Sequence, residues 1–151
     1  MLRERFNEVL KEAMRAKDQA KVGTIRMILA GIKDRDIAAR PQGNASGIDD
    51  GAILTLLRSM IKQRQESVEM YRQGARQDLV DKENAEIAVI ESFMPQQMSE
   101  DETRAAVTAV IAETGATTIK DMGKVMAELR ARHAGVMDFA KAGPLVKAAL
   151  G

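Results

Sequence analysis

Cysteine is absent from this chain of 151 residues, and its absence removes disulfides, thiolate metal sites and cysteine nucleophiles together. Tryptophan is missing too. The aromatics are Phe6, Tyr71, Phe93 and Phe139, too few to interleave with basic residues as a base-stacking platform. His133 is the only histidine, which leaves any metal site to carboxylates alone, and no clustered pattern of them recommends one. No run approaches the ~18 apolar residues of a membrane span. The start Met1-Leu2-Arg3-Glu4-Arg5 has no apolar signal core behind it, so the expectation is a cytoplasmic protein with no membrane partner. Excess charge of one sign is also lacking. The 23 basic and 22 acidic side chains leave a net charge of +1, so any nucleic-acid binding must be local.

What is present is helical periodicity. Leu2, Phe6, Val9, Leu10, Ala13 and Met14 trace one stripe ending near Lys17, and Asp18 is placed to cap a second helix carrying Val22, Ile25, Leu29 and Ile32. The breaker-rich stretch 40–47 is the clearest loop. From about Asp49 a long helix runs through Ile53, Leu57, Met60, Ile61, Val68 and Tyr71, with Gly74 as its left-handed cap. A fourth, from about Arg76, turns Leu79, Ile87, Ile90 and Phe93 inward and stops at Met94-Pro95. Ser99 to Glu102 forms a capping box for a fifth helix that ends at Gly115. Thr118 and Asp121 open a sixth, and Pro144 lies near the start of a last short one. Alternation at period two is scarce. The fold class is therefore all-α, with a domain of about four helices over 1–95 and a three-helix domain over 96–151. Ten methionines help to fill the apolar faces, which makes the core adaptable.

Few residues suggest chemistry. The serines lack a nucleophile motif, and no phosphate-binding glycine loop occurs. Asp34, Asp36, Asp49 and Asp50 gather around the loop, where helix ends account for them better than paired acids do. Arg58, Lys62, Arg64, Arg72 and Arg76 are opposed only by Glu66 and Glu69, the one basic stretch that could follow a phosphate backbone. In Asp121-Met122-Gly123-Lys124-Val125-Met126 a glycine sits where a helix interior is expected. Close helix packing is one reason for it, and a surface approached by a partner's backbone or a phosphate, with Lys124 beside it, is the other. Met122 and Met126 offer a protein-docking alternative.

Four ordered motifs carry a resemblance over essentially the whole chain: Lys62-Gln63-Arg64 with Ser67 and Tyr71, Gly74-Ala75-Arg76-Gln77-Asp78-Leu79, Phe93-Met94-Pro95-Gln96-Gln97, and 121–126. Together they resemble the YqeY-like family, which is similar to the C-terminal tail of the B subunit of the glutamine-dependent aspartyl/glutamyl-tRNA amidotransferase. The resemblance implies an all-helical protein in two parts, related to a tail that helps to hold tRNA while other parts perform the chemistry. Carbon-nitrogen ligase activity with glutamine as amido donor is implied by similarity only, since no residue supplies an ammonia source or a phosphate cradle. The expected partners are tRNA, amidotransferase subunits or another protein. No cofactor and no catalytic residue is expected, and the binding residues are Arg58, Lys62, Arg64, Arg72, Arg76, Gly123 and Lys124.

Overall fold

A computed structural model describes residues 1–151. It is all-helical, with seven α-helices and no strand, and none of the helices is long and apolar enough to cross a membrane. The chain divides into two compact units, Met1–Met94 and Pro95–Gly151.

The first unit contains α1 (Leu2–Arg15), α2 (Gln19–Ala39), α3 (Asp50–Gln73) and α4 (Gln77–Glu91). Asp18 caps α2 by accepting from the Lys21 amide at 3.1 Å, and Asp49 caps α3 through the Ala52 amide at 2.8 Å. Each satisfies one of the donors that a helix start leaves orphaned. Phe6, Ile25, Ile28, Ile53, Leu57, Ile90 and Phe93 form the fully buried centre. Phe6 and Phe93 meet edge to face at 4.7 Å, the arrangement favoured by the aromatic quadrupole. Beyond that centre, Val68, Val80 and Ile87 make a smaller cluster.

One helix end departs from the sequence reading. Gly74 has φ −86 and is right-handed, whereas Ala75 takes the left-handed position at φ 55. The Arg76 amide donates to the Tyr71 carbonyl at 2.8 Å and the Ala75 amide to the Arg72 carbonyl at 3.1 Å. That pair of bonds is a Schellman motif, which sets the left-handed residue one position after Gly74. Lys17, at φ 57, closes α1 in the same way, with the Asp18 amide on the Ala13 carbonyl.

The loop between α2 and α3 is pinned by charge. Arg3 grips Asp36 with two hydrogen bonds, at 2.7 and 2.8 Å, and donates a third to the Ile48 carbonyl, while the Ile48 amide donates to Asp36 at 2.8 Å. Asp36 is thus a clamp rather than a helix-end charge. The Arg3 guanidinium and the Ile48 amide hold its carboxyl down at about 2, against the ordinary 3.8. Gly47 leaves room for the clamp. A Cβ there would stand 2.8 Å from Arg3 Nη2, and its φ of +97 suits glycine.

The second unit holds α5 (Glu100–Thr114), a 3-10 turn at Ile119–Asp121, α6 (Met122–His133) and α7 (Phe139–Leu150). Its core is Val107, Val110, Val125, Met126, Leu129, Met137, Ala142, Val146 and Leu150. Asp138 caps α7, and Pro144 lies inside that helix, in its second turn, rather than at its start. There its missing amide leaves one turn without its usual bond.

Candidate nucleic-acid interface

Helical geometry sorts the five cations of the basic stretch. Arg58, Lys62 and Arg72 fall within about 80° of arc on α3, while Arg64 lies about 240° around from Arg58. Arg64 is accordingly drawn into the fold. Its side chain is 12% exposed, its Nε donates to Glu86 at 3.0 Å and its Nη1 to the Met60 carbonyl at 3.1 Å. It ties α4 to α3 and leaves the exposed row. Sequence spacing alone places Arg64 on another side of α3 from Arg58 and Lys62.

On the other side of α3, the positions Arg58, Lys62, Gln65, Glu69 and Arg72 follow one another at intervals of four, three, four and three along a 24-residue helix. Lys62 and Arg72 are exposed and Arg58 is half-buried. Glu69 is the single acid in the row and approaches Arg72 at 3.7 Å, a loose, solvent-screened pair of little energetic weight. Arg76, past the Schellman turn, donates to both carboxylate oxygens of Asp78 at 3.0 and 3.1 Å. That pairing holds Asp78 below its ordinary carboxyl range and Arg76 above its own. Asp78 also lies in the first turn of α4, where a negative charge suits the helix dipole.

Gly123 and Lys124 belong to the second unit and receive separate explanations. Gly123 is the second residue of α6, not an interior position, and a Cβ added to it would meet nothing within 4 Å. Close helix packing therefore does not require the glycine. The Lys124 ammonium donates to the Thr114 carbonyl at 3.2 Å, satisfying an orphan acceptor at the end of α5. Asp121 reaches back to the amides of Thr117 and Thr118 at 3.0 and 3.2 Å, closing the expected capping box. Those two amides keep its carboxyl below the ordinary range. Met126 is buried and Met122 half-buried against the same core.

Nothing else in the molecule gathers reactive groups. No group of three or more histidine, aspartate or glutamate side chains could hold a metal ion. Two shallow depressions, of about 170 and 230 Å³, fall below the ~300 Å³ at which small-molecule sites begin.

Comparison with known proteins adds kinship. The family model described as Yqey-like protein matches residues 3–150. Altered inheritance of mitochondria protein 41, mitochondrial, of Lachancea thermotolerans is 37% identical over 106 residues, covering 69% of this chain and 54% of the relative. Its namesake in Eremothecium gossypii is 38% identical over 85 residues, covering 56% and 44%. The Saccharomyces cerevisiae protein of that name is 34% identical over 87 residues, covering 58% and 45%. The chain thus spans about half the length of the curated relatives it matches.

Proposed function

This chain belongs to the YqeY-like family, and from that premise we propose that it is a non-catalytic helical protein that holds tRNA by phosphate contacts. Arg58, Lys62 and Arg72 on α3 form the main row, Arg76 extends it, and Gly123 with Lys124 offers a second contact on α6. The observation that carries the reading is the row itself, three cations against Glu66 and Glu69 along one side of a long helix in a chain of net charge +1. A polyanion releases counterions when cations line up on its backbone, and this favours a local row over a diffuse charge. The similarity to an amidotransferase tail supports tRNA as that polyanion.

Gly123 contributes by what it lacks. With no side chain and no neighbour above it, the first turn of α6 is a smooth place where a backbone can come close. Lys124 remains useful there, since an ammonium has three donors and the Thr114 carbonyl takes one. Any amide-forming chemistry belongs to an associated amidotransferase, with this chain as its tRNA holder. Purified chain that released ammonia from glutamine would contradict the non-catalytic part of the proposal. The yeast relatives carry the word mitochondrial in their names. For this chain we place the activity in a reducing, tRNA-containing compartment, cytoplasm or mitochondrial matrix, in keeping with the lack of cysteine.

The test is binding of tRNA to the full chain, with Lys62, Arg72 and Arg76 changed together to glutamine. Arg64 stays untouched because its loss would disturb the fold. Lost binding with an unchanged circular dichroism melt supports the row, whereas tRNA affinity equal to that of the unaltered chain excludes it.

A further inference from the structure

Helix α2 carries apolar residues on two sides, and only one of them enters the core. Val22, Ile25, Ile28 and Ile32 enter the core, yet Ala20, Gly23, Met27, Ala30 and Ile37 are exposed on the opposite face. With Asp34 these positions run at intervals of three, four, three, four and three, the seam by which one helix packs along another. Met27 is 41% exposed, with its sulfur accepting from Arg64 Nη2 of α3 at 3.6 Å, Ile37 is 48% exposed, and nothing stands within 4 Å of where a Gly23 Cβ would be. The seam is also flanked by charge of one sign: Arg26, Lys33 and Arg40 recur every seventh residue along one edge, all exposed.

We propose that this face of α2 docks an amphipathic helix of a partner protein, with an apolar seam and acidic residues along the edge that meets Arg26, Lys33 and Arg40. Charge complementarity selects that occupant. A second copy laid antiparallel would set the basic edge against itself, and a nucleic acid has no apolar seam with which to cover Met27 and Ile37. The small residues Ala20, Gly23 and Ala30 let the two axes approach closely, and the seam from Ala20 to Ile37 is about 26 Å, or roughly five turns. Asp34 fixes the register by asking for a basic or amide residue at a single point, as a lone polar residue does in a coiled coil. This surface is independent of the α3 row proposed for tRNA.

The probe is a yeast-displayed library of amphipathic helical peptides with randomised seam and edge positions, sorted for binding to the full chain. Enriched peptides should carry glutamate or aspartate at seven-residue spacing on one edge. Ala30→Arg, at an exposed position where arginine is a good helix former, should weaken them by about 100-fold or more. The triple change Arg26→Glu, Lys33→Glu and Arg40→Glu should switch enrichment to basic edges. Failure to enrich any peptide overturns the proposal, as do enriched peptides without acidic edges or with undiminished binding to the Ala30→Arg protein. Sedimentation that reveals a dimer dissolved by Ala30→Arg assigns the face to a second copy and overturns it too. So does tRNA binding that the triple change abolishes.

Discussion

The exchange of roles between Gly74 and Ala75 can be measured directly. Because Ala75 is left-handed at φ 55, its Cβ crowds a carbonyl oxygen at a cost of roughly 1–2 kcal/mol. Ala75→Gly removes that cost and returns about 0.4–1 kcal/mol through the freer unfolded chain. The net gain is about 0.5–1 kcal/mol, with the Schellman bonds to Tyr71 and Arg72 unchanged. Gly74→Ala should be neutral or slightly stabilising. Gly74 has φ −86, and a Cβ there makes only ordinary contacts at 3.7 and 3.8 Å. If Gly74 were the left-handed residue, as its place after the helix first suggests, both signs would reverse. Urea unfolding monitored at 222 nm reads each change as a displaced midpoint. Slopes are about 1–3 kcal/mol/M, so the expected rise for Ala75→Gly is a few tenths of a molar. A loss of 1 kcal/mol or more on Gly74→Ala, with no gain from Ala75→Gly, would refute this assignment of the turn.

Three further outcomes follow from the geometry. Asp36 titrates at about 2 in the folded chain and at an ordinary 3.8 otherwise, so its contribution is complete above pH ~4 and is lost as the pH falls through about 2. Acid unfolding of Asp36→Asn, followed by hydrogen exchange at the Ile48 amide, should lack that component. Gly123→Ala should leave stability unchanged or raise it by up to about 1 kcal/mol, since the site is open and alanine is the better helix former. If tRNA affinity nevertheless falls, the glycine serves a contact surface; a lower thermal midpoint would restore close packing as its reason. Purified chain incubated with glutamine should release no ammonia above the buffer rate, measured by a coupled dehydrogenase assay.

The order of the helices was readable because caps and apolar periods agree along the chain. Asp18, Asp49, Ser99 and Asp138 each accept the backbone bond expected of a cap or helix-start residue. Single residues were harder to place. The rank of glycine over alanine in left-handed turns misassigned Gly74, because the Schellman bonds counted from Tyr71 and Arg72 decide the position. Pro144 was given to a helix start because the cap, Asp138, lies six residues before it, a distance that composition does not reveal. The Arg3 and Asp36 clamp joins residues 33 apart, beyond any local pattern. Arg64 could have been separated from Arg58 and Lys62 by angle alone, but its partner Glu86 lies on another helix. The exposed face of α2 lies outside the stripe of Val22, Ile25, Leu29 and Ile32 that the apolar period traces.

The most direct measurement is the affinity of the full chain for tRNA as a function of salt. Five phosphate contacts, by Arg58, Lys62, Arg72, Arg76 and Lys124, predict a log–log slope of about −3.5 to −4.5, and changing Lys62, Arg72 and Arg76 to glutamine should flatten it to about −1.5 to −2. Binding that is absent at low salt, or whose slope is the same in the triple variant, would contradict the claim that the α3 row holds the RNA.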